Sequence, residues 1–303
     1  MASRARRLVS DYRELAIVAV AAAIGLSVQH PLTWVVRHQG IDIFLVILVF
    51  STALTIEPRA LRELPSAWRR LSVALLAGIT VLPALSWSAA HLVTAGHLRD
   101  GVAAIGLAPC EIASIATTAM AGGDVALAGG LLIGSTLLTV ALAGPILAAE
   151  ASGTALDPLH ILVNLVCIVA LPLGAGVACR AALPVPRRVI DVASPVSTLS
   201  VAALVALVAS EVHFTRFYVA VLAAIVAFLI ASAGVGLLVG RGATLRAREA
   251  LLLTMSMRDF AIAAGLVTAA FGPDAAAPLG LYGIAVLVWG TGAAGFMRAE
   301  KSN

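Results

Sequence analysis

Ten apolar runs follow one another along this chain, near residues 15–36, 41–56, 71–95, 101–120, 125–149, 158–180, 189–210, 214–240, 249–271 and 275–297, with only short connections between them. A helix needs about 20 apolar residues to cross the hydrocarbon of a bilayer. Backbone in that medium has to satisfy its own hydrogen bonds, which a helix does internally. The runs therefore predict an all-α integral membrane protein of ten transmembrane helices, with no sizeable soluble domain. The chain is 61% hydrophobic and 12% charged, far from the roughly 25% charged residues of an ordinary soluble domain. Its formal charge of +4 calls for no nucleic acid, because the basic residues fall in the connections, where membrane orientation places them.

Several other classes are excluded by what these runs lack. Cys110, Cys167 and Cys179 lie within or at the end of apolar runs, so neither a disulfide framework nor a Cys/His metal site is expected. There is no phosphate-cradling Gly-rich loop ending in Lys-Ser/Thr, so this chain encodes no ATP-driven pump. The zinc-protease pair of His around a Glu is missing, and Ala121-Gly122-Gly123-Asp124 lacks the Gly-x-Gly-Asp order of an intramembrane aspartyl protease. An enzyme is not expected. The basic start, Met1-Ala-Ser-Arg-Ala-Arg-Arg-Leu8, has no small-residue cleavage site behind a short apolar core and reads as leading into a retained first span.

The connections also orient the chain. When they are assigned alternately to two sides, one side collects Arg4, Arg6, Arg7, Arg13, Arg59, Arg62, Arg69, Arg70, Arg180, Arg187, Arg188, Arg241, Arg246, Arg248, Arg298 and Lys301, 16 of the 20 basic residues. The other side receives Arg37, Arg99 and Arg216, and Arg258 falls inside the ninth run. Basic residues favour the cytoplasmic side, so both termini are expected there, in an inner (plasma) membrane.

One polar stretch interrupts the apolar pattern: Leu107-Ala-Pro-Cys-Glu-Ile-Ala-Ser-Ile-Ala-Thr-Thr-Ala-Met120. A carboxylate facing lipid costs about 2.5 to 3.5 kcal/mol or more, so Glu111 is expected to face a protein interior or a water-filled cavity. Pro109 removes a backbone donor two residues earlier and predicts a broken or kinked helix at that depth.

Self-comparison at an offset of about 149 to 150 residues sets Asp42 on Asp191, Gly123-Asp124 near Pro273-Asp274, and Arg69 close to Arg216. Residues 1–150 and 151–303 then form two five-helix repeats, and an odd number of spans inserts the second half upside down. Inverted repeats of this kind mark secondary transporters. The same offset brings the Cys110-Glu111 break within a residue of Arg258-Asp259. Broken helices at matching positions of inverted halves are where such transporters bind substrate and ions, and half-helix N-termini there offer positive ends to an anionic group.

The stretches Ala108-Pro-Cys-Glu-Ile-Ala-Ser114, Ala121-Gly-Gly-Asp-Val-Ala-Leu127, Met257-Arg-Asp-Phe-Ala-Ile-Ala263 and Phe271-Gly272 resemble the bile acid:sodium symporter family, within the wider bile/arsenite/riboflavin transporter superfamily. The resemblance covers almost the whole chain. It implies ten helices in two inverted repeats, a panel domain and a core domain interleaved across both, and crossing broken helices four and nine in the core.

The departures bear on coupling. Sodium-coupled members carry a Ser-Asn pair on the fourth helix, matched here by Ser114 and Ile115, and two hydroxyls on the fifth, which fall on Ala128 and Leu132. The family's Glu on the ninth helix falls on Thr254, and its Gln-Asn pair on Arg258-Asp259. Sodium wants oxygen ligands, which Ile, Ala and Leu side chains do not supply. Arg258 instead offers a fixed guanidinium, with Glu111, Asp259 or the substrate as its partner. Cys110 matches the functional Cys after Pro in arsenite exporters, although Glu111-Ile-Ala-Ser114 departs from the stretch that follows it there.

Each of these residues has a plainer reading beside the functional one. Glu111 and Arg258 also suit a structural ion pair between crossing helices. Ser114, Thr117, Thr118 and Thr254 either line a cavity or bond carbonyls of their own helices, and Cys110 is either a ligand or a small buried hydrophobe. Asp124 and Asp274 read as helix caps.

The expected function is secondary active transport of a small organic anion by alternating access. Candidate substrate- and ion-binding residues are Cys110, Glu111, Ser114, Thr117, Thr254, Arg258 and Asp259. No cofactor and no resident metal are expected; the coupling ion is sodium or a proton, the latter carried by Glu111 or Asp259. The partners are the lipid bilayer and the anion. The alternatives are metalloid efflux through Cys110 and a non-transporting membrane sensor on the same fold.

Overall fold

A computed structural model describes residues 16, 17, 19–55, 68–150, 157–182, 186–212 and 217–301. Regular structure among these residues is helical: α1 (Ala19–Ser27), α2 (Gln29–Arg37), α3 (Gly40–Thr55), α4 (Trp68–Ala90), α5 (Gly96–Ala104), α6 (Ala113–Ala121), α7 (Val125–Glu150), α8 (Pro158–Leu165), α9 (Leu171–Ala182), α10 (Arg187–Ser210), α11 (Phe217–Val239), α12 (Leu245–Ser256), α13 (Phe260–Phe271) and α14 (Ala277–Glu300). A π-helical turn, Val166–Ala170, joins α8 to α9 as one segment, Pro158–Ala182.

Among the described residues six segments are long and apolar enough to cross a membrane: α4, α7, Pro158–Ala182, α10, α11 and Pro273–Glu300; α1 and α2 make a seventh if counted together. Helix falls in all ten apolar runs, yet four of them do not carry one long straight helix. The first bends by 96° between α1 and α2. Pro31 is the cause: it removes the N–H that would bond the Ser27 carbonyl, and its ring clashes with that group. The second, α3, has only 16 residues, and the fourth and ninth are broken. The third run also ends earlier than its apolar composition predicts. His91, Leu92 and Val93 bond back to carbonyls three residues earlier, at 2.9 to 3.3 Å, a tightening typical of a helix end.

The helices assemble by long-range packing of apolar faces. α3 packs on α9 and α10, α4 on α5, α7 and α11, and α14 on α6 and α10. Large apolar side chains such as Leu76, Leu199, Val219 and Ile230 face outward, as a lipid-facing surface requires.

One end of the bundle is tied by charge. α6 stops at Gly122, whose φ of 76° is the left-handed value that suits glycine. Lys301 Nζ donates to the Ala121 carbonyl at 2.8 Å and to Glu249 Oε2 at 2.7 Å, and the Asp124 N–H bonds the Arg246 carbonyl at 3.0 Å. These bonds link the end of α6, the start of α12 and the end of α14. Asp124 caps α7 as expected, accepting from the Leu127 N–H at 3.0 Å. Asp274 does not act as a cap; it lies inside the 3-10 turn Pro273–Ala276, which has no side-chain cap bond.

Lys301→Ala strands a carboxylate that is only 6% exposed and is expected to cost about 1 to 3 kcal/mol. Thermal unfolding in detergent checks this: the variant unfolds at a lower temperature, and adding Glu249→Gln recovers part of the loss.

Candidate functional site

Two pairs of short helices, α5 with α6 and α12 with α13, meet at the breaks between their members. Pro109 causes the first one: it has no N–H, and it holds Ala108 extended, with ψ of 152°. The second break has no proline. There Asp259 acts as N-cap of α13, its Oδ1 accepting from the Ala261 and Ile262 N–H groups, both at 2.9 Å. That bond starts a new helix in place of continuing α12.

Backbone freed by each break is satisfied by the other. Cys110 and Arg258 form an isolated antiparallel bridge, in which the Glu111 N–H donates to the Met257 carbonyl at 2.8 Å and the Asp259 N–H to the Pro109 carbonyl at 2.9 Å. The remaining two donors are met by side chains from the helices that follow. The Cys110 N–H bonds Ser135 Oγ at 3.0 Å, and the Arg258 N–H bonds the Tyr282 hydroxyl at 2.9 Å. This reciprocity has a sequence counterpart, since Arg258 follows Cys110 by 148 residues and Tyr282 follows Ser135 by 147. Sequence reasoning missed Ser135 and Tyr282; asking which polar residues recur at the repeat offset within apolar runs finds them.

Charges are sorted across the crossing. Glu111 and Asp259 are buried on the N-terminal ends of the second half-helices: Glu111 Oε2 accepts from the Phe260 N–H at 3.4 Å and lies close to the N–H groups of Ile112 and Ala113. The positive end of α13 is therefore filled by the chain's own carboxylates. This corrects the expectation that both half-helix N-termini are open to an anionic ligand.

Arg258 points the other way. It is the largest fully buried side chain, 1% exposed, and its Nη1 lies 3.8 Å from Cys110 Sγ. Its two terminal nitrogens lie against Gly78 of α4, where a Cβ would sit in ordinary contact with them at 3.8 and 3.9 Å. Among the described residues neither Glu111 nor Asp259 forms an ion pair with Arg258, and its Nε has no partner. The structural ion pair between Glu111 and Arg258 is thus not what the crossing contains. With all three groups ionised, it holds one surplus negative charge.

The other candidate residues divide. Thr117 bonds the Ala113 and Ser114 carbonyls, with Met257 Sδ at 3.5 Å, and Thr254 bonds the Ala250 carbonyl at 2.7 Å. Both hydroxyls are spent largely on their own helices. Ser114 Oγ, Thr118 Oγ1 and Asp259 Oδ2 are buried without a hydrogen-bond partner.

Beside the crossing lies a narrow, partly open apolar cleft. Ile112 and Ile262, with Leu132 and Thr136 of α7, form one wall; Val49 and Thr52 of α3, with Val169 and Leu173, form the other. Val169 belongs to the π-helical turn, a distortion frequent at functional sites. The cleft is largely apolar, and Ile112 and Ile262, which line it, each lie within three residues of a buried carboxylate in the chain.

A crossed pair of broken helices beside a cleft is the arrangement expected of a secondary transporter, and comparison with known proteins decides the family. The model of the sodium bile acid symporter family matches residues 42–231. The chain belongs to this family. A Bacillus subtilis (strain 168) protein described as an uncharacterised sodium-dependent transporter, YocS, is 24% identical over 276 residues, spanning 88% of this chain and 85% of the relative. This family member is thus a membrane transporter with several helices fit to span the bilayer.

Tyr282→Phe and Ser135→Ala each leave one buried backbone N–H of the crossing unbonded, at an expected cost of about 1 to 3 kcal/mol. Both variants should unfold at lower temperature by similar amounts, whereas Thr291→Ala, which removes a self-bonded hydroxyl on α14, should shift unfolding far less.

Proposed function

We propose that this family member moves a small organic anion by secondary active transport, through alternating access, and that a proton on Glu111 couples the cycle in place of sodium. The observation that carries this reading is the burial of two carboxylates, Glu111 and Asp259, at the crossing with a guanidinium that forms an ion pair with neither. While Glu111 is ionised, the crossing repels an anion arriving in the cleft. Once a proton neutralises it, Arg258 and Asp259 balance, and the repulsion of an incoming anion is relieved. Anion and proton then bind together and cross together without net charge. The Ile112 and Ile262 wall suits an anion with an apolar body.

The rest of the machinery follows the family architecture. Ten spans form two inverted five-helix repeats, 1–150 and 151–303, with both termini cytoplasmic in the plasma membrane. The panel domain supplies the α3 and α9 wall of the cleft, and the core domain carries the crossing. Ser114 and Asp259, with buried unpartnered oxygens, take part in the protonated or substrate-bound state. Thr117 and Thr254 shape the half-helices that hold the site, and Cys110 keeps the guanidinium in place. No catalytic group is assigned.

Proteoliposome flux tests the coupling. An inward proton gradient should drive accumulation of the organic anion whether the counter-cation is sodium or choline. Glu111→Gln should abolish the proton-driven component, and Arg258→Gln should abolish uptake. Uptake driven by a sodium gradient and indifferent to a proton gradient would sink this reading.

Single-cysteine labelling tests the topology. Positions 39 and 99 should react from outside and positions 70 and 242 from inside; any other pattern removes the ten-span arrangement.

A further inference from the structure

α2 does not continue the line of α1. It leaves α1 at 96°, and the Gln29 side-chain amide donates to the Val212 carbonyl at 2.9 Å, two residues past the end of α10. α2 therefore lies across the end of a long helix, not alongside it. Its far end is fixed as well: Gln39 takes a φ of 62° at the turn that sends the chain back into α3.

The two faces of α2 differ. Val36 is buried, and Leu32 and Val35 are partly buried against the core. His30, Arg37 and His38 are exposed on the outer side, with Trp34 61% exposed. The Trp34 and His38 rings stack with centroids 4.1 Å apart, and His38 Nδ1 sits 2.7 Å from the Trp34 carbonyl. That leaves His38 Nε2 without a partner among the described residues. The same spacing recurs at the end of α4, where His91 Nδ1 lies 2.8 Å from the Trp87 carbonyl and Arg99 Nη2 lies 3.4 Å from His91 Nε2. Arg37 and Arg99 are two of the three basic residues that the charge count assigns to the outer side.

We infer that α2 is an interfacial helix seated in the headgroup layer of the outer leaflet, where Arg37 takes the phosphate of an anionic phospholipid and Trp34 sits at the level of the glycerol backbone. An exposed Trp on the outward face of an amphipathic helix, flanked by basic groups, fits that depth: its ring is apolar and its N–H needs a polar partner. The positive charge of Arg37 complements an anionic headgroup. Water does not account as well for a large aromatic side chain held open on a helix that has already buried its apolar face.

The test uses the full chain in vesicles, with Trp34→Phe subtracted from wild type to isolate the Trp34 fluorescence. Phosphatidylcholine brominated near the ester end of the acyl chain should quench this component more than lipid brominated near the methyl end, and aqueous iodide should quench it least. Stronger quenching by iodide would place α2 in water, and stronger quenching by the deep bromine would make it a span; either result overturns the inference. With brominated phosphatidylglycerol against brominated phosphatidylcholine, quenching should favour the anionic lipid by about fivefold, the contribution of one basic residue near such a surface. Arg37→Glu should remove the preference, and excess inorganic phosphate should leave it unchanged. Equal quenching by the two lipids, or loss of the preference in phosphate, overturns the headgroup assignment.

Discussion

The pairing of Cys110 with Arg258 holds two chain breaks together where neither is stable alone. A helix interrupted in the middle of a membrane exposes backbone donors and acceptors to hydrocarbon, and each one left unbonded costs several kcal/mol. Here the exposed groups of one break are the partners of the other, and Ser135 and Tyr282 bond the two donors that remain. α5, α6, α12 and α13 all start or end at this point, so their positions follow from it. The cleft is placed by it too, since Ile112 and Ile262 are fixed by the two helix starts.

Charge is arranged around the same point by the directions of the helices. Asp259 and Glu111 occupy the N-terminal side, where the macrodipole favours anions, and Arg258 turns towards Gly78 of α4. The family's description names sodium; this crossing holds a guanidinium of its own. A fixed cation cannot leave during a transport cycle, and for that reason the proposed coupling rests on the carboxylates.

Much of this was legible in the sequence. Apolar run length marked the helical segments, and Glu111 and Arg258-Asp259 stood out because charge is costly in hydrocarbon. The offset between them matched a contact that the folded chain makes. Other parts were not legible, for identifiable reasons. The bend at Val28 comes from Pro31 acting on a carbonyl four residues earlier, which a hydropathy reading does not register. That Arg258 forms no ion pair with either carboxylate depends on the directions in which the helices point the three side chains. The hydroxyls of Thr117 and Thr254 had two equally good uses, and only the packed helix shows that local carbonyls took them.

The bridge also sets an order of events during synthesis. Cys110 and Arg258 are 148 residues apart, and Ser135 follows Cys110 by only 25. At about 5 to 20 residues per second, the first broken span waits roughly 7 to 30 s for the second. In that interval Ser135 is already at hand for the Cys110 N–H, but the Glu111 N–H and the Pro109 carbonyl have no final partner. The Pro109–Glu111 break is therefore made incomplete, and the insertion machinery or neighbouring water has to shelter its polar groups until residues 257–259 arrive.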